Sequence, residues 1–142
     1  LAHEEDALVA LVGDLNRLVE ADVEFAGVAL LVADDVLGGF FAINGGSLGE
    51  EMGSVFYFAP DTADWECLDY SYSDFIFWCL QGNIAGFYES LRWPGWEQEI
   101  STLAGDQAIS IFPFLFTKGP PIAERHRGVV PISQMFSLHF RK

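Results

Sequence analysis

At 142 residues, the chain has the length of one domain built around a single core. Apolar residues make up 51% and aromatic residues 15%, which excludes a disordered chain in spite of a net charge of −14. The charge is segregated. Residues 1–117 hold 20 acidic side chains against Arg17 and Arg92, while residues 118–142 hold Lys118, Arg125, Arg127, Arg141 and Lys142 against Glu124. A body near −18 repels phosphate backbones and steers basic partners toward itself, so no nucleic-acid binding is expected outside the +4 tail.

The opening Leu-Ala-His-Glu-Glu-Asp has neither the basic start nor the apolar stretch of a signal peptide, and its missing initiator Met points to a trimmed or processed chain. The longest aliphatic run, Ala26 to Ala33, falls far short of the ~18 residues that span a membrane. Cys67 and Cys79 sit in apolar settings that suit reduced thiols, and a cytoplasmic location is the expectation.

In chain order, Leu8, Leu11, Val12, Leu15, Leu18 and Val19 recur at helical spacing and predict an amphipathic helix over 4–21. The run from Val28 to Ala33 predicts a buried strand. Asp34-Asp35-Val36-Leu37-Gly38-Gly39 turns it into a second strand, Phe40 to Ile43. Asn44-Gly45-Gly46 and the glycines at 49 and 53 form a connection to a third strand over 54–59; a turn at Pro60 to Asp64 leads into a fourth over 65–68. Successive short strands predict an antiparallel meander. Ser73 then caps a helix over 74–81 that Gly82 ends, Asn83 caps a second over 84–91, and Pro94 opens a third reaching Leu103. Ala108 to Phe116 reads as an edge or bent strand because of Pro113, and the tail from Val129 as a last helix or strand. The expected fold is α+β over residues 1–142: a single globular domain with a meander sheet packed by an N-terminal helix and a central group of short helices.

Catalytic and cofactor motifs fail one by one. His3, His126 and His139 are isolated, no Cys-x-x-Cys occurs, and Asp61, Asp64 and Glu66 lack the spacing of a calcium loop, so no metal or cofactor is expected. The glycine pairs match neither phosphate-binding fingerprint, and no G-x-S-x-G is present. Asp34 and Asp35 read as solvated turn-formers, with acid/base work as the alternative if one is desolvated. Phe75 to Leu80 is apolar all round its helix and reads as central core, with a surface shared with a partner as the alternative. Arg92, Trp93 and Trp96 surround a Pro-Gly bend, a composition common in interface hot spots, and read either as a contact surface or as a corner packed onto the sheet.

Three stretches, Leu31 to Gly46, Val55 to Thr62 and Phe87 to Trp96, together with Val130-Pro-Ile132, resemble an uncharacterised bacterial domain-of-unknown-function family. The resemblance covers roughly residues 28–132 and carries no assigned activity. The family is expected to have a longer Gly- and Trp-containing stretch before this core. More loosely, the order helix, strand, acidic turn, strand, Asn-Gly-Gly, strand is similar to the SUKH (Smi/Knr-like) superfamily, which implies an immunity-like role against nuclease toxins.

The leading expectation is thus a non-catalytic domain that binds a basic protein through Asp34, Asp35, Asn44, Asp61, Asp64, Arg92, Trp93 and Trp96. One alternative is a small-ligand-binding protein or enzyme with a pocket near Asp34/Asp35 and Asn44 to Gly46. Another is a homo-oligomer in which the basic tail docks on a neighbour's acidic body.

Overall fold

A computed structural model describes residues 29–140 of the protein. The predicted helix over 4–21 lies outside the described residues. Strands β1 (Ala29–Asp34), β2 (Phe40–Asn44), β3 (Val55–Ala59) and β4 (Asp64–Tyr70) pair antiparallel in chain order and form the expected meander. Helices α1 (Tyr72–Gln81), α2 (Ile84–Phe87) and α3 (Trp96–Ser101) follow, with a single 3-10 turn at Glu89–Leu91. Then β5 (Gln107–Phe112) pairs with β6 (His126–Pro131) in a separate two-stranded sheet, and α4 (Ile132–Phe140) closes the described chain.

The meander is covered on both faces, which explains why β1, β2 and β3 are apolar runs, whereas the edge strand β4 alternates exposed and half-buried residues. Phe41 and Tyr57 face a core completed by Phe75 and Cys79 of α1, Ile84 of α2, and Tyr88. Phe40, Ala42 and Phe58 face the opposite way, onto Ile132, Met135 and Phe136 of α4. Adjacent phenylalanines therefore serve different cores, as side chains of a strand must. A register shift between Leu31 and Ala33 places both Val32 and Ala33 on the α1 side.

Several boundaries differ from the expectation. Helix α1 starts earlier because Ser71, not Ser73, is the cap: its hydroxyl accepts from Asp74 N, and the Asp74 carboxylate accepts from Ser71 N. The second helix stops at Phe87 and continues only as the 3-10 turn. Strand β5 ends at Phe112, before a cis bond to Pro113. The tail from Val129 supplies both alternatives, the end of β6 and then α4. Helix α1 is only half core: Phe75 and Cys79 are buried, but Phe77 and Leu80 are 62% and 73% exposed on its outer side.

Candidate functional site

The loop from Asp34 to Gly39 is built around one carboxylate. Asp35 Oδ1 accepts from Leu37 N at 3.0 Å and Gly39 N at 2.8 Å. Its Oδ2 accepts from the hydroxyls of Tyr57 at 2.6 Å and Tyr88 at 2.8 Å. Gly38 holds a φ of 81°, and a Cβ at Gly39 would come within 2.5 Å of both Asp35 Oδ2 and the Tyr57 hydroxyl oxygen. Burial, and then the neighbouring Asp35 charge, push the Tyr57 phenol well above its ordinary value; the same causes raise Tyr88, with Arg92 opposing.

Asp34 and Asp35 are therefore not solvated turn-formers. They are 2% and 3% exposed, because the loop folds inward between β1 and β2, and two of its own amides and phenols from two other segments close over Asp35. Neither can meet a partner in this arrangement. Asn44 is buried too, and its amide is spent on its own loop: Nδ2 donates to Gly49 O and Glu51 O, while Oδ1 accepts from Gly46 N and Leu48 N. The polar residues of the Asp-Asp-Val-Leu-Gly-Gly and Asn-Gly-Gly strings thus organise backbone, and the pocket expected beside them is filled by their own contacts.

The Trp corner divides in the same way. Trp93 is 3% exposed and donates its Nε1–H to Glu99 Oε1 at 2.8 Å, so it is core and not contact surface. Arg127 of β6 reaches the same carboxylate, Nη2 to Oε1 at 2.9 Å, and lies over the Trp93 ring at 4.8 Å. The Arg127 hydrogen bonds hold Glu99 below the ordinary glutamate value. Arg92 sits between rings, 4.1 Å from the Trp96 centroid and 4.8 Å from that of Tyr88. Arg92 and Trp96 are half-buried.

The structure does not gather the predicted residues into one site. Asp61 and Asp64 are exposed at the β3–β4 turn beside Glu66, whose carboxyl is raised first by partial burial and then by repulsion from both neighbours. Cys67 and Cys79 are free thiols, and burial pushes Cys79 up to about 11. Among the described residues, no group of three or more His, Cys, Asp or Glu could hold a metal ion.

Sequence reading missed the segment after β5. Phe112 is 61% exposed and meets Phe114 edge-on at 5.6 Å; Phe114 stacks on Phe116 at 5.4 Å. Between these rings and α4 runs a groove of ≈ 510 Å³, lined by Ser110, Phe112, Phe114, Gln134, Met135 and Leu138 among others. Leu138 is 44% exposed, and no titratable side chain lines the groove. The signal was present in Phe112-Pro-Phe-Leu-Phe116: a run of rings interrupted by Pro cannot all enter a sheet.

The family "Protein of unknown function DUF2625" matches residues 5–135. The chain belongs to that family. The match takes in residues 5–28, so all but the first residue of the predicted first helix falls inside the family region. The chain is 43% identical over 119 residues to the uncharacterized protein YbfG of Escherichia coli (strain K12), covering 83% of this chain and 54% of that one. It is 38% identical over 112 residues to an uncharacterized protein of Haemophilus influenzae, covering 78% and 49% respectively. The chain thus spans about half the length of these relatives. No solved structure matches it significantly. Among the described residues, no helix is long and apolar enough to cross a membrane.

Proposed function

We propose that this domain is a protein-binding module and not a catalyst, and that its contact surface is the groove between the Phe112–Phe116 segment and α4. The observation that carries the reading is the makeup of that groove: the exposed Phe112 and Leu138 side chains and the half-buried Phe114 ring, with hydroxyls and an amide but no acid, base or thiol in the lining. Such a surface can bury an apolar side chain, yet it lacks the groups that proton transfer or nucleophilic attack would use. The carboxylate best placed for chemistry, Asp35, already accepts from two backbone amides and two phenols. That weighs against a pocket enzyme.

The charge supports a basic partner. Asp61 on the β3–β4 turn and Asp64 and Glu66 at the start of β4 are exposed side by side, and their mutual repulsion would be relieved by a cation on the partner. The SUKH-like, immunity-like role in the cytoplasm is the narrower form of this reading, supported by the net charge of −14. Fold analogy adds nothing to it.

Site-specific photo-cross-linking from position 112 tests the proposal, with position 118 as the control. A cross-linked partner at 112 that is absent at 118 and weaker in high salt is the expected result. Identical products at both positions would remove the groove as a binding surface, and a product of twice the chain's own mass would assign it to self-association instead.

A further inference from the structure

Among the described residues, the small sheet has a free outer edge, and its register identifies the backbone groups on offer. Ile109 lies opposite Val129, and its N–H donates to Val36 O at 2.6 Å, away from β6. In an antiparallel ladder such a pair exchanges no hydrogen bonds, and both members turn their N–H and C=O outward. Gln107 repeats the pattern: its N–H goes to Ala104 O at 3.0 Å, and the residue opposite is Pro131, which has no N–H. The register is unbroken, so Arg127 shares the orientation of Val129. Among the described residues, no hydrogen bond engages the outward backbone groups of Arg127 and Val129.

Unpaired edge groups are a template for another strand. Beside this edge, between β6 and α3, runs a second groove of ≈ 290 Å³, lined by Gln98, Thr102, Ile109, Gly128 and Val129 together with the Glu99–Arg127 pair. Val129 is 54% exposed, and the space a Cβ would take at Gly128 is open. Main-chain hydrogen bonds along an edge, with a neighbouring pocket for an alternate side chain, are what strand addition requires.

We infer that β6 is a strand-addition site for an extended, basic segment of a partner protein, paired with Arg127 and Val129 and seating an apolar side chain in the α3 groove. The outward amides and carbonyls select a strand. Ile109, Val129 and the Thr102 methyl select the apolar side chain. The sign of the charge follows from Glu97 on α3, which forms one wall, and from the −14 of the whole chain. Arg127 does not oppose it, because its guanidinium is already paired with Glu99. The inference needs nothing from the Phe112 groove, and each surface can fail alone.

Amide exchange by NMR, with a synthetic octapeptide of alternating Val and Lys as probe, tests it. The expected result is at least about tenfold slower exchange at Arg127 and Val129, since a paired edge amide opens less often. Val129→Pro should abolish the effect, because it removes an outward N–H while leaving the ladder to β5 intact. Val129→Thr should keep it, and unchanged amide shifts in the meander would show that both variants fold. No slowing in the native chain, or slowing that persists in Val129→Pro, overturns strand addition. Equal slowing by a Val/Glu octapeptide overturns the basic segment. Slowing that rises with protein concentration in the absence of peptide overturns the partner and gives the edge to a second copy of the chain.

Discussion

Tyr57 and Tyr88 donate to the same oxygen of Asp35 from positions 22 and 53 residues away in sequence. Hydrogen bonds to a buried charge are worth about 1.5–3 kcal/mol each, and losing one leaves the carboxylate under-solvated. Tyr57→Phe and Tyr88→Phe should therefore each destabilise the fold by about that much in urea titrations. The double variant should cost more than the sum, because either phenol alone still partly satisfies the shared oxygen. Two unchanged midpoints would mean that the cluster contributes no net stability. Glu66 works in the opposite direction. Its folded pKa is raised, so the native state binds a proton more readily than the unfolded one between 4.5 and the folded value, and stability falls as pH rises through that window. Glu66→Gln removes this penalty, and a small rise in Tm at pH 7, absent at pH 3, is the expected outcome.

At the level of elements, α1 owes its start to a reciprocal pair, Ser71 and Asp74. Ser71→Ala should cost about 1 kcal/mol, read from chemical denaturation, whereas Ser73→Ala should cost little. The comparison decides between the two serines. The sequence contained the means to choose, since an acidic residue three positions on marks Ser71 as the cap. The meander was legible because Asp-Asp-x-x-Gly-Gly and Asn-Gly-Gly punctuate apolar runs of strand length. The depth of Asp35 was not legible: its burial depends on tyrosines brought in by β3 and by the chain after α2, and no local pattern encodes that meeting. The same holds for Trp93 and Glu99, which are completed by Arg127 from a strand that sequence reading did not resolve. The exposure of Phe112 and Phe116 escaped for a different reason: Pro113 marks a bent or edge strand, but nothing local says which rings of such a strand find cover.

For the whole molecule, the net charge and a few perturbed groups pull stability in opposite directions as pH falls. Acidification relieves repulsion within a −14 chain and stabilises it. Against this, His139 is held below its ordinary value by burial against Phe58 and Phe116. A base whose folded pKa is depressed is neutral in both states above the unfolded value of 6.5, so its stabilising neutrality is intact there. Below 6.5 the unfolded chain takes up a proton that the native chain resists, and stability is lost as pH falls toward the folded pKa. Lower still, Glu99 reaches its unfolded value of 4.5, and the Arg127 clasp weakens as pH drops through its lowered folded pKa. The raw pH profile mixes all these slopes, so the informative quantity is a difference between variants. The Tm of the native chain minus that of His139→Phe should stay constant above about pH 7 and decline between 6.5 and 5, where the unfolded histidine protonates. A flat difference across that range would mean that His139 is solvated in both states and that its ring does not pack as a neutral member of the α4 core.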